Sequence, residues 1–162
     1  MPDLLPYAVI DLDGVLADVR HRLHLVESSP KDWDGFFAGM SDDPVLVEGR
    51  AVVERLAADH ELVYLTGRPE ATRADTQAWL DRHGLPRAML IMRRLRDRRP
   101  ARITKAVLLR ELVADGRKVA VVVDDDPEVC DVLERAGWPV MRADWMSRPS
   151  SLDDAQERFG RT

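Results

Sequence analysis

Short apolar runs alternate along the chain with longer stretches in which apolar positions recur every three to four residues, the pattern of strands and crossover helices in an α/β sheet. The runs predict strands over Tyr7–Leu12, Leu62–Thr66, Ala88–Met92, Val119–Val123 and Val140–Met141. Apolar side chains on successive positions call for burial on both faces, which a parallel sheet covered by helices provides. Helical spacing falls at about Gly49–Asp59, Glu70–His83, Thr104–Asp115 and Pro127–Ala136. Thr104 can cap the third of these and Pro127 suits a first helical turn. Gly84, Gly116 and Gly137 follow helix ends, where a left-handed residue is wanted. The expected fold is α/β, a three-layer doubly wound parallel sheet.

Residues 14–44 break the rhythm between the first strand and the first helix of the sheet, and they predict a small lid or flap. Residues 146–162 predict a C-terminal tail, a surface segment or frayed helix. With 162 residues and 45% hydrophobic content, one domain over 1–162 can bury a core without disulfides or structural metals.

Composition narrows the picture. Cys130 is the one cysteine, so no intramolecular disulfide forms, and the composition fits a reducing compartment at least as well as an oxidising one. The start Met1-Pro2-Asp3 lacks a basic leader, and no apolar run approaches the roughly 18 to 20 residues of a membrane span; a cytoplasmic protein with no membrane partner is expected. A net charge of −5 argues against a whole-surface grip on nucleic acid. Yet Arg93 to Arg102 reads RRLRDRRPAR, six arginines in ten residues, so positive charge is concentrated in one loop.

The first strand ends in Asp11-Leu12-Asp13-Gly14. Side chains two apart on a strand share a face, so both carboxylates can point at one spot, at the sheet edge where α/β proteins bind ligands. Taken alone, the pattern also fits a solvated turn. Thr66-Gly67-Arg68 follows the second strand, where a hydroxyl and backbone N–H groups can hold a phosphoryl oxygen or simply cap a helix. Asp124, Asp125 and Asp126 follow the fourth strand; that many carboxylates facing Asp11 and Asp13 repel unless a cation lies between them, and Mg²⁺ is the hard ion that fits. Lys105, near a helix start, can balance the acids or snorkel to water.

This ordered set resembles the haloacid dehalogenase-like (HAD) superfamily, whose fold is Rossmann-like. The resemblance implies Asp11 as nucleophile, Asp13 as general acid and base, Thr66 and Lys105 as holders of the phosphoryl group, and Asp124 with Asp125, Asp11 and the Asp13 carbonyl as a Mg²⁺ site. Within the superfamily the chain is similar to the 3′-phosphatase domain of polynucleotide kinase. The similarity rests on DWDGFF in the insert, TGRP after the second strand, and MRRLRDRRPARITK, which matches the family's M-R-x-x-G-D-x-R-P-x-x-x-x-K. On that register Arg93, Asp97, Arg99 and Lys105 align, and Gly67, Arg68, Arg93 and Arg99 become substrate-binding candidates. Arg96 replaces the expected Gly, and Asp126 stands where an Arg usually follows the acid pair.

The implied activity is Mg²⁺-dependent phosphomonoester hydrolysis through an aspartyl-phosphate, acting on phosphorylated nucleic-acid 3′ ends or nucleotides. No G-x-x-x-x-G-K-[ST] occurs, so this chain carries no kinase-type phosphate loop. A small-molecule phosphatase acting on nucleotides or sugar phosphates is the alternative. A phospho-accepting receiver module uses similar residues, but in a different order along the chain. Arg94, Arg96 and Arg98 form a solvated loop face or touch a polyanion. Trp33, Phe36 and Phe37 pack the flap onto the domain or stack on a base; His21 and His24 lie near the Asp13 exit.

Overall fold

In a computed structural model, which describes residues 3–162, five parallel strands form one sheet: β1 (Tyr7–Ile10), β2 (Glu61–Pro69), β3 (Met89–Arg93), β4 (Val119–Asp124) and β5 (Val140–Arg142). The order is β3-β2-β1-β4-β5. The chain winds outward from β1 to β3 on one side, then returns to β4 beside β1, so the topological switch falls between β1 and β4, the position at the strands' carboxyl ends where open α/β sheets bind ligands.

Alternation along β1 explains the three layers. Ala8 and Ile10 face one core with Val53 and Leu56 of α2 (Val47–Leu56) and Trp79 and Leu80 of α3 (Arg73–Arg82). Tyr7 and Val9 face a second core with Leu108 and Leu109 of α4 (Ala101–Leu112) and Val129 and Leu133 of α5 (Pro127–Arg135). The doubly wound α/β expectation holds, as do the left-handed glycines after α3 and α5 and after the turn that extends α4, with φ of 63° at Gly84, 90° at Gly137 and 85° at Gly116.

Several boundaries differ from the sequence reading. β2 runs on to Pro69, so Thr66, Gly67 and Arg68 lie at the end of the strand instead of after it. α4 starts at Ala101, one residue after Pro100, because proline presets the φ that a helix entry needs. Thr104 therefore sits inside the helix, and its hydroxyl donates to Asp97 Oδ2 at 3.0 Å instead of capping. The stretch after Trp145, expected at the surface, folds back: α6 (Ser150–Asp153) and a wide turn over Asp154–Arg158 bury Leu152, Ala155 and Gln156, and Thr162 is buried as well. Its apolar positions are too few for periodicity to flag, but each finds a partner.

Residues 14–44 hold a 3₁₀ segment at Arg20–Val26, the short α1 (Trp33–Ala38) and another 3₁₀ turn at Gly39–Asp42. Phe36 is fully buried and belongs to the α2/α3 core, with Trp33 and Phe37 rings at 5.7 and 5.4 Å. Among the described residues no helix is long and apolar enough to cross a membrane.

Candidate active site

The carboxyl ends of β1 to β4 bring the conspicuous acids and bases of the sequence together. Asp11 lies just past β1, its N–H donating to Val123 O at 2.9 Å, which ties the nucleophile candidate to β4. Gly14 is required twice over: its φ is +83°, and a Cβ there would stand 1.9 Å from Asp125 Oδ2. A side chain at 14 would displace the acid that β4 delivers.

Asp11, Asp124 and Asp125 each offer a carboxylate oxygen, all within 4.8 Å of one another. Lys105 reaches across them from α4, 2.6 Å from Asp124 Oδ2 and 3.1 Å from Asp11 Oδ1. Burial, joined by Asp124, pushes the Asp11 carboxyl well above its ordinary pKa, with Lys105 pulling the other way. Burial works against the Lys105 ammonium too, but Asp11 and Asp124 outweigh it and raise its pKa. Asp125 is lifted by burial to about 6 against the pull of Arg148. One ammonium does not balance this group. Asp11 Oδ2 and Asp125 Oδ1 are buried with no hydrogen-bond partner, and such oxygens suit a hard cation, so the three carboxylates can hold a metal ion.

Asp13 has a different environment. Arg68 donates to Asp13 Oδ1 through Nε at 2.9 Å and Nη2 at 2.6 Å, and Arg22 lies 3.5 Å away. Burial alone would raise this carboxyl, but Arg68 and Arg22 outweigh it and hold it at about 2. Behind them sits Asp43, which accepts from Arg22 at 2.8 and 3.0 Å, from Arg68 at 3.0 Å, and pairs with His21 at 2.7 Å. Arg22 and Asp43 come from the insert and carried no periodic or motif signal; only their burial in the fold exposes them.

The remaining candidates divide by distance from the acids. Thr66 is fully buried and accepts from the Arg68 N–H at 3.1 Å. Arg93 is buried and spent on positioning: it donates to Gly67 O at 2.9 Å, Arg99 O at 2.7 Å and the Thr104 hydroxyl at 3.0 Å. Arg99 lies outside, half-exposed and paired with Asp97 at 2.9 Å. Arg94, Arg96 and Arg98 are exposed, and Arg94 pairs with Glu111. Arg96 and Arg98 line a 180 Å³ cavity with Phe37, Thr72, Leu95 and Arg161. Arg96 has φ +67°, the left-handed conformation that favours glycine. Asp126 is buried and caps α5 by accepting from Glu128 N–H at 2.9 Å; burial and the neighbouring Glu157 raise it to about 8.

The sequence family of the polynucleotide kinase PNKP phosphatase domain matches residues 6–145. No curated protein matches the chain. Among solved structures, one of the Pnkp1/Rnl/Hen1 RNA repair complex aligns with a TM-score of 0.72 and 23% identity, over 90% of this chain and 46% of that one. A second structure of the complex gives 0.74 and 21%, over 91% and 49%. The chain thus spans about half the length of these two relatives. A haloacid dehalogenase-like family hydrolase from Streptococcus pneumoniae shares the fold end to end, with a TM-score of 0.58 and 12% identity over 94% and 91%.

Proposed function

The chain belongs to the family of polynucleotide kinase PNKP phosphatase domains, and on that premise we propose that it removes terminal phosphates from nucleic-acid ends, with Mg²⁺, through an aspartyl-phosphate on Asp11. It is a phosphatase of the haloacid dehalogenase-like type. The observation that carries the proposed mechanism is Asp11 itself, held between Lys105 and the Asp124–Asp125 pair with Oδ2 unpartnered.

Asp11 attacks phosphorus in line; a bond from its carboxylate to phosphorus forms as the bond to the leaving alcohol breaks. Asp13 gives the departing oxygen a proton, then takes one from the water that attacks the phosphorus, freeing Asp11 and inorganic phosphate. Asp13 is ionised in the free site, so the proton it gives enters with the substrate, as the phosphomonoester monoanion, and passes to Asp13 because the arriving phosphate raises its pKa. Thr66, Gly67 N–H and Lys105 hold the phosphoryl oxygens. Arg68 and Arg22 orient Asp13, and Arg93 fixes the Thr66–Arg68 end of β2. Asp11, Asp124 and Asp125, with the Asp13 main-chain carbonyl, would hold Mg²⁺, which when bound supplies positive charge against the carboxylates and the substrate.

The substrate reading rests on family membership and on Arg94, Arg96, Arg98 and Arg99, an exposed basic rim on an acidic chain. The decisive experiment measures Mg²⁺-dependent phosphate release from oligonucleotide 3′- and 5′-phosphates, mononucleotides, sugar phosphates and p-nitrophenyl phosphate. Oligonucleotide 3′-phosphates are expected to be preferred, with rates falling steeply as salt rises; equal turnover of sugar phosphates would sink the substrate assignment. Retained activity in Asp11→Asn would sink the mechanism.

A further inference from the structure

Every residue assigned to the chemistry is closed off. Asp11, Asp13, Lys105, Asp124 and Asp125 are at most 5% exposed, and Thr66 is fully buried, yet a phosphomonoester must reach Asp11 from solution. The segment that folds back after α6 reaches into this site beside Asp13 and Gly67. Phe159 packs on the Trp33 ring at 5.9 Å, and the Arg161 guanidinium lies over Trp33 at 4.9 Å and Phe37 at 5.7 Å. Gly160, with φ +57°, passes so close to the loop that a Cβ would stand 2.3 Å from Arg98 O.

Thr162 then enters the site. Its hydroxyl donates to Asp13 Oδ2, its carbonyl oxygen accepts from Arg93 Nη2 at 3.4 Å, and its backbone lies where a Cβ on Gly67 would be, 2.2 Å from the Thr162 carbonyl carbon. In the mechanism above, the group that faces Asp13 is the oxygen of the leaving alcohol. A hydroxyl donating to an ionised Asp13 reproduces the hydrogen bond of the product alcohol just before it departs.

We propose that Phe159–Thr162 is an autoinhibitory strap in which the Thr162 hydroxyl stands in for the product alcohol, so that the strap must leave before a phosphomonoester can bind. The inference rests on the proposed roles of Asp13 and Gly67. The strap is held by one edge-on ring contact, two cation–π contacts of Arg161 and a few hydrogen bonds. Contacts of that kind exchange readily with an open state, and substrate competes for Asp13 and Gly67.

The test compares the full chain with a version lacking residues 159–162 and with Thr162→Val, using p-nitrophenyl phosphate and Mg²⁺, with thermal unfolding to verify that each is folded. The shortened chain is expected to gain about tenfold in kcat/KM, the inverse of an open fraction of about a tenth, and Thr162→Val to gain less. Inorganic phosphate should bind the shortened chain more tightly by calorimetry, and a peptide of sequence ERFGRT should inhibit it competitively. Equal kcat/KM in folded full-length and shortened chains overturns the strap and leaves the phosphatase mechanism standing. If neither chain binds phosphate nor hydrolyses any phosphomonoester, the reading of the site falls and takes the strap with it.

Discussion

Arg148 donates to the carboxylate of Asp125, and this contact places a cation from outside the sheet beside the acid pair of β4. The resemblance leads one to expect an arginine directly after that pair; Asp126 occupies the position and caps α5 instead. Arg148 reaches the same acids from beyond β5, and Asp153 and Gln156, each at 2.6 Å, hold its other nitrogen. The charge that the local sequence lacks is restored by the fold.

Arg148→Ala should therefore leave Asp125 buried and uncompensated, at a cost of about 2–3 kcal/mol for a pair with one partly exposed member. At the proposed metal site, Mg²⁺ would supply an alternative counter-charge. Thermal unfolding in EDTA and in saturating Mg²⁺ should show a larger loss in EDTA; an equal loss in both would mean that Arg148 does not serve Asp125.

Asp43 and Asp13 both face the two buried guanidinium groups of Arg22 and Arg68, so Asp43→Ala removes one of their two shared partners. Breaking such a network costs about 3–5 kcal/mol, visible as a lower urea midpoint with little change in slope. Asp43→Asn, which keeps an acceptor, should recover part of the loss; a neutral Asp43→Ala would show that Asp13 alone holds the arginines.

Arg96 carries a side chain at φ +67°, a conformation that costs a non-glycine residue about 1–2 kcal/mol. Arg96→Gly relieves that strain but loosens the unfolded chain, and a net gain of about 0.5–1 kcal/mol in chemical denaturation is expected. A loss would mean that the exposed guanidinium makes a contact worth more than the strain.

Asp97 provides a pH test away from the acids of the site. The Arg99 side chain, against a smaller opposing effect of burial, holds its pKa below the ordinary carboxylate value. Its contribution is therefore complete above the unfolded value of about 3.9 and is lost as pH falls through the lower folded value. Unfolding midpoints of the native chain and Asp97→Asn should differ above about pH 5 and converge toward pH 2; a constant difference would remove Asp97 from the acid response.

The sequence by itself determined the sheet, its helices and the carboxylate pattern. Runs such as Tyr7–Ile10 and Val119–Asp124 are too apolar for anything but buried strands, and Asp11, Asp13, Thr66, Lys105, Asp124 and Asp125 are set by strand ends and a helix, which local periodicity fixes. Tertiary structure alone decided what meets these residues. Arg22 and Asp43 sit in an insert without regular period, Arg148 and Thr162 in a stretch of mixed polarity, and each acts through contacts distant in sequence. Burial of polar side chains and charge pairing across the fold are set by contacts distant in sequence, and they have no period along the chain. For the same reason the sequence could name Arg68 and Arg93 as bases near the site, while only the fold showed that their donors are turned to Asp13 and to Gly67.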